Sequence, residues 1–449
     1  MTRPNATWRL AAVVGVAGLA LAACGSSGSS NAGSSSAAAS TGTPLYLVDG
    51  NLGLTELEAL PPGTLTGVKG TLPGAATGQQ FKDALNAVNP KLPDLGYSYA
   101  PESYDAATLI ELAAVQGKSD AGKDIAANLR TVSEGGTECT SFKQCNDLLK
   151  KGEDIDYQGQ SGPVEFDQFG DPTVATIGVY EYNSENKVDG YNAPATSTSP
   201  VFQEGNLEPS TKAAPKLTSV ENQGSSDNQL TIGSILPITG SLASLGPPEI
   251  AGVQLAVNDA NDAGGVLGKD VKFILGDSGD TTTDTASKTV DKQLKQGVDA
   301  IIGAASSSVS LSVIDKITGA GVVQFSPANT SPELTTYPDN GLYFRTAPSD
   351  VLQGRVLGNL ITSDGYCSIG ILSLQDSYGE GLSAATTQSI QDGGCEVLDT
   401  VFYDPNASSF NTEVSKIKSL GPDAIILIGF NESAKVVNEL VKQGIGPNS

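Results

Sequence analysis

The chain has 449 residues, with 50 Asp and Glu against 26 Lys and Arg, no histidine and a formal net charge of −24. That length supplies two or three lobes with real cores. The acidity excludes a nucleic-acid partner, whose phosphates demand basic surface, and charge-driven docking on anionic lipid. Lacking histidine, the chain cannot build a Ser-His-Asp or Cys-His centre or an ordinary zinc site. A phosphate-binding loop is missing too: Gly117-Lys118-Ser119 has the right ending, but Leu112 stands where its first glycine belongs. No metal and no cofactor is expected, and binding is favoured over catalysis.

In chain order, Arg3 and Arg9 precede an apolar run over 10–23, too short to span a bilayer but suited to the core of a signal peptide. It ends Leu21-Ala22-Ala23-Cys24, which resembles the lipobox of bacterial lipoproteins. The resemblance implies cleavage before Cys24, a lipid on its sulfur and anchorage at the outer face of the cytoplasmic membrane. An ordinary secretory signal with a chance cysteine is the competing reading. Residues 24–42, an uncharged Gly/Ser/Ala/Thr/Asn stretch after the cysteine, read as a flexible tether.

A first block over 43–203 opens on a buried-type strand, Leu45-Tyr46-Leu47-Val48. Cys139 and Cys145 are six positions apart around a short turn, so local pairing is expected in an exported chain. A Pro/Ser/Thr/Gln-rich linker over 204–229 leads to the second block, 230–449. There, short apolar strands (LTIGSIL, VKFIL, AIIG, VVQF, CSIGILSL, VLDTVF, AIILIG) alternate with amphipathic helices, the pattern of parallel sheets with helical crossovers in two lobes. Cys367 and Cys395 begin two of these strand runs. If the strands are parallel neighbours, the cysteines can be bridged; free buried thiols are the alternative.

The last apolar strand is followed by a helix carrying Val436, Val437, Leu440 and Val441, with no strand after it, whereas 45–48 is a strand with only a tether before it. A crossover helix delivers a parallel strand. Both oddities are explained if the strand belongs after the helix, so a circular permutation is inferred. It predicts that 45–48 lies parallel to and beside 424–428, with Ser449 and Pro44 within about 10 Å. Two misassembled, non-functional half-domains are the alternative.

The second block resembles the first part of solute-binding proteins of the leucine/isoleucine/valine-binding family, in GSILPITGSLASLGPPEIAGVQLAVNDANDAGGVLGK, IIGAASSSVS, QFSPANTSPELT and LQDSYGEGL. The first block resembles the last part of the same family, in PLYLVDGN, YAPESYDAATLIELAA and GPVEFDQFGDPTVATIGVYEY. Reading GIGPNS into TPLYLVDGN restores the family order, and a flexible 204–229, reaching about 28 Å, would join the usual ends. The resemblance implies an α/β, type I periplasmic-binding-protein fold with two Rossmann-like lobes and an interdomain cleft, circularly permuted. The first lobe is expected over 229–348 with 97–170. The second is expected over 349–449 with 43–96, plus a final strand near 174–181.

The resemblance also implies that the chain captures a branched-chain or similar amino acid and passes it to the permease and ATPase subunits of an ABC importer. A ligand-sensing module is the other reading. Ser306-Ser307-Ser308 follow strand AIIG and open a helix, a place where hydroxyls and N–H groups hold a carboxylate or simply cap the helix. By resemblance Ser307 contacts the ligand carboxylate, with Ser308, Ala328 and Thr330 beside it. Asp49 ends strand LYLV, where ligands bind in open α/β sheets. It matches the family's ammonium-binding acid, though shorter than the usual glutamate, and it is also a natural turn former before Gly50-Asn51. Tyr378 covers the ligand, Phe430 and Asn431 occupy another contacting loop, Tyr99 aligns less firmly, and Leu245 faces the ligand side chain. Each of these has local packing or turn formation as its alternative.

Overall fold

The structure is a computed structural model that describes residues 42–74, 76–189, 201–206 (as backbone) and 226–448. Cys24, the expected signal, nearly all of the tether, 207–225 of the linker and Ser449 lie outside the described residues.

In the first lobe five parallel strands run in the order Tyr343–Arg345, Val323–Ser326, Ala300–Gly303, Thr231–Ile235, Lys272–Ile274. Successive side chains face opposite sides of a strand, and both sides here are apolar. Ile232, Ile302, Val323 and Phe325 pack with Val253, Ala256, Leu109 and Leu112 of helices Gly246–Asp262 and Ala100–Gly117. Ile235 and Ile301 pack with Val290, Val309, Val313 and Ile317 of helices Thr285–Lys295 and Ser307–Gly319. Helix Gly246–Asp262 carries its prolines in the first turn, where no intrahelical N–H bond is lost. Gly252 lets it lie against helix Ala100–Gly117, because a side chain there would strike the Ala100 carbonyl.

The second lobe is built on a sheet ordered Glu396–Tyr403, Ser368–Leu374, Ala424–Ile428, Leu45–Leu47, Lys69–Pro73, Val174–Tyr182. The first five strands are parallel; Val174–Tyr182 is antiparallel to Lys69–Pro73, and both Val188–Asp189 and Val201–Asn206 are antiparallel to Val174–Tyr182. Leu45–Leu47 is thus an interior strand: Leu45 pairs with Ile425 and Tyr46 with Ile426 on one side, Tyr46 with Lys69 and Leu47 with Gly70 on the other. The Ile425 N–H donates to the Pro44 carbonyl at 2.8 Å. Parallel seating beside 424–428 is what the sequence predicts. Helix Ser433–Lys442 buries Val436, Val437 and Leu440 in the same core. Beyond it, the Asn448 Nδ2 donates to the Thr66 carbonyl at 2.9 Å, in the turn leading into Lys69–Pro73.

Both expected disulfides form. Cys139–Cys145 closes a local turn with Cα atoms 5.3 Å apart. Cys367–Cys395 ties neighbouring parallel strands where Ser368 pairs with Glu396, with Cα atoms 4.6 Å apart.

Two boundaries differ from expectation. Helices Gln79–Val88 and Leu92–Leu95 belong to the first lobe, because Leu85 and Leu92 are fully buried in the core shared with helix Gly246–Asp262. The second lobe's opening share of the first block therefore ends near Pro73, and its share resumes at strand Val174–Tyr182. Residues 204–206, expected in the linker, continue strand Val201–Asn206.

Besides 207–225, which lies outside the described residues, the chain passes from lobe to lobe between Pro73 and Gln79, at 167–173 and at 346–349. The last two are tied by Arg345, which is wholly buried. Its Nε donates to Asp171 Oδ1 at 2.7 Å and its Nη2 to Asp171 Oδ2 at 2.6 Å. Nη2 also donates to Thr335 Oγ1, and Nη1 donates to the carbonyls of Ser331 and Asn329. All five guanidinium protons are used. Replacing Asp171 by Ala leaves a buried cation without its counter-charge, and a loss of about 3–5 kcal/mol is expected. Urea unfolding with the variant's midpoint within error of the parent would contradict this.

Candidate functional site

Asp49 follows strand Leu45–Leu47 in the turn at its C-terminal end. The turn does not depend on its side chain. Asn51 does that work, its Oδ1 accepting from the Val48 N–H at 2.9 Å and its Nδ2 donating to the Leu427 carbonyl and Ser433 Oγ at 2.9 and 3.0 Å. The Asp49 carboxylate instead meets the cleft. Oδ1 accepts from the Tyr378 hydroxyl at 2.6 Å and from Gln353 Nε2 at 2.9 Å, and Oδ2 accepts from the Tyr99 hydroxyl at 2.8 Å. Burial pushes the Asp49 carboxyl up, and the bonds from Tyr378, Tyr99 and Gln353 pull it back down. Bonds that donate to the charged form favour it.

Each donor is placed by its own element. Tyr99 precedes helix Ala100–Gly117 with a φ of 58°, a left-handed conformation uncommon for a bulky residue and a mark of imposed local geometry. Tyr378 lies in the first turn of helix Ser377–Asp392, which Asp376 caps by accepting from the Gly379 N–H at 2.8 Å. Its ring stacks on Phe430 at 5.5 Å with planes 9° apart. The Tyr378 hydroxyl also accepts from the Gly50 N–H at 3.3 Å. Gln353, on helix Asp350–Ser363, is steadied by Thr71 Oγ1 at 3.2 Å.

Opposite Asp49 stands the N-terminus of helix Ser307–Gly319. Ser306 caps it, accepting from the Val309 N–H at 3.4 Å. The Ser307 hydroxyl accepts from the Ser331 N–H at 3.2 Å, and Ser308 Oγ lies 2.9 Å from Ser377 Oγ, joining the lobes. Asp49, Gly50, Tyr378 and Phe430 of the second lobe, with Tyr99, Leu242, Leu245, Ala305, Ser306, Ser307 and Ala328 of the first, enclose a cavity of about 270 Å³.

Of the residues singled out in the sequence, Asp49, Tyr99, Leu245, Ser307, Ala328, Tyr378 and Phe430 meet on this wall. Asn431 does not; it lines an adjoining cavity with Asp280, Asp376 and Asp404. Ser308 bridges the lobes beside the cavity, and Thr330 is buried behind it with its hydroxyl unpartnered. Gln353, Leu242 and Ser306 had no reading of their own as contact residues. Gln353 had a signal: with Asp350 it puts polar residues on a helix face otherwise made of Leu352, Val356 and Leu357.

This is a type I periplasmic-binding-protein fold, two α/β lobes with a small lined cleft between them. The family described as periplasmic binding protein matches residues 229–448, and the same half of the chain is similar to curated Leu/Ile/Val-binding proteins. A leucine-, isoleucine-, valine-, threonine- and alanine-binding protein of Pseudomonas aeruginosa is 30% identical over 211 residues, 46% of this chain and 55% of the relative. Leu/Ile/Val-binding protein homolog 3 of Brucella melitensis is 28% identical over 208 residues, 45% of this chain and 55% of the relative. The chain thus spans about half the length of the curated relatives it matches. A leucine-binding protein, LivK, of Thermotoga maritima superposes with a TM-score of 0.44 at 26% identity, over 48% of this chain and 61% of that one.

Burial first, and the charge on Asp49 next, push the Tyr99 and Tyr378 hydroxyls well above the usual phenol range. Both should stay protonated in the folded chain at alkaline pH, and the stability they confer should vanish as pH rises through their folded values. In a spectrophotometric titration they should ionise only with unfolding. Tyr99→Phe and Tyr378→Phe should each remove one late-titrating group, and loss of an early-titrating group instead would contradict the geometry.

Proposed function

We propose that the chain is an extracytoplasmic solute-binding lipoprotein that captures a branched-chain amino acid in the interlobe cleft and presents it to an ABC importer. One observation carries this reading. A small cavity has a carboxylate with three side-chain donors on one wall, a hydroxyl-bearing helix N-terminus on the other and apolar side chains between them. An amino acid needs these three features at once. Its ammonium pairs with Asp49, whose remaining acceptor capacity faces the cavity. Its carboxylate meets Ser307 and the N–H groups at the positive end of helix Ser307–Gly319. Its side chain lies among Leu242, Leu245, Ala328 and Phe430, under Tyr378. The relatives named for leucine, isoleucine and valine support an aliphatic ligand.

The lobes close because a bridging ligand binds the closed form better, shifting the equilibrium by that difference. Closure is the signal a permease reads, and ATP hydrolysis belongs to partner subunits. Cleavage before Cys24 and a lipid on its sulfur would hold the protein at the outer face of the cytoplasmic membrane on the tether 24–42. The fold is assembled from 43–206 and 230–449 in rotated order, joined by 207–229. The interior, parallel position of Leu45–Leu47 between Ala424–Ile428 and Lys69–Pro73 supports this order over two separate half-domains.

Thermal unfolding of the chain from Gly25 onward, with leucine, isoleucine or valine at a hundred times its Kd, should show stabilisation of about 2.7 kcal/mol. Asp49→Asn leaves the bound ammonium without its counter-charge and should cost about 2–5 kcal/mol of affinity. A cooperative melt that none of the three amino acids moves would sink the ligand assignment.

A further inference from the structure

Asp350 opens helix Asp350–Ser363 where the chain enters the second lobe. It is completely buried, and neither of its carboxyl oxygens has a hydrogen-bond partner. The elements around it come from both lobes. Its backbone N–H donates to the Thr330 carbonyl of the first lobe at 2.7 Å. The Thr330 hydroxyl faces the carboxyl without forming a proper hydrogen bond, and is itself buried and unpartnered. On the second-lobe side lies Gly381, where a Cβ would stand 3.6 Å from Asp350 Oδ2 and press on Pro332 of the first lobe. The carboxyl is therefore sealed between the lobes in this closed arrangement.

The charged and titratable groups that face it are Asp49, Asp376, Tyr378 and Arg345. The Arg345 donors are all committed to Asp171, Thr335, Ser331 and Asn329. Asp49 and Asp350 thus form a contrasting pair. Asp49 receives three side-chain donors, which favour its charge against burial; Asp350 has beside it only the Thr330 hydroxyl, placed too poorly for a hydrogen bond of good geometry. Carboxyls whose surroundings differ in this way separate into one ionised and one protonated.

We propose that Asp350 takes up a proton as the lobes close on ligand, so that capture of the amino acid is coupled to binding of one proton. This deepens the reading of the cleft given above and rests on it. In the closed form Asp49 is neutralised by the ligand ammonium and Asp350 by the proton, so the cleft shuts without an uncompensated charge. When the lobes part, water reaches Asp350 and its carboxyl returns toward the ordinary range near 3.9. Burial, and then the Asp49 charge, push it well above that range in the closed form. The sign follows: a group held higher in the closed form favours closure at low pH, and that advantage is lost as pH rises toward the closed-form value.

The test is calorimetric titration of the chain from Gly25 onward with leucine, isoleucine and valine near neutral pH, in phosphate and in Tris, whose ionisation enthalpies differ. The parent should absorb about one proton per ligand bound, and its Kd should rise up to about tenfold per pH unit. Asp350→Asn should bind with heat independent of buffer and a Kd flat with pH. Binding with buffer-independent heat in the parent overturns the proposal, as does undiminished proton uptake in Asp350→Asn. If that variant does not fold, the parent's Kd against pH decides: a flat profile overturns the coupling. No heat and no melting shift with any of the three strikes the cleft reading itself, and the proposal falls with it.

Discussion

The Asp49 carboxylate, 6% exposed, takes its hydrogen bonds from three side chains that arrive from separate places in the chain. A carboxylate taken out of water costs several kcal/mol unless donors replace the lost hydration. Much of the local architecture follows from meeting that cost. Tyr99 reaches Asp49 from the other lobe because its backbone is held left-handed ahead of a buried helix. Tyr378 reaches it because Asp376 fixes the start of its helix, and Phe430 then supports the ring. Gln353 spans from Thr71 on the neighbouring strand. One acid thereby couples both lobes and three strands of the second sheet to a single geometry.

The hinge solves a related problem with opposite charge. Arg345 is buried with all five protons satisfied, two of them by Asp171 in another interlobe crossing and two by carbonyls of the segment that carries Ala328 and Thr330. Buried ion pairs add little net stability over apolar substitutes, but they are costly to break. Here the pair fixes 329–331 in register with the 167–173 crossing, and so holds it in place under the helix that begins at Ser307.

Much of this was legible in the sequence, for physical reasons that differ from residue to residue. The lobes follow from strands alternating with helices, and the position of 45–48 beside 424–428 follows from parallel-sheet connectivity. Both disulfides follow from placement of cysteines at a local turn and at neighbouring strand starts. Helices Gln79–Val88 and Leu92–Leu95 went to the wrong lobe because an amphipathic helix shows which face is buried, not what it is buried against. The two readings of Ser306-Ser307-Ser308, cap or ligand contact, prove compatible: Ser306 caps while Ser307 lines the cavity. At Asp49 the turn role falls to Asn51, a division of labour that pattern alone does not show. Gln353 shows in the sequence only as a polar residue on a buried helix face, and its target, another side chain, has no local spacing to reveal it.

The rotated order proposed for the chain leaves the cleft intact because the cleft is a property of strand ends. Ligand sites in open α/β sheets gather at the C-terminal edges of strands, and those edges are fixed by pairing, whatever the sequence in which strands are synthesised. The energetic cost of rotation is small. Leu45 pairs with Ile425, 380 positions away, where a direct helical crossover would close a loop of roughly 20 residues. Loop-closure entropy grows only logarithmically, so the difference is about 3 kcal/mol, comparable to one well-buried side chain. The greater consequence is kinetic. A three-residue interior strand, Leu45–Leu47, must wait for partners on both sides, and non-local parallel pairing is slow.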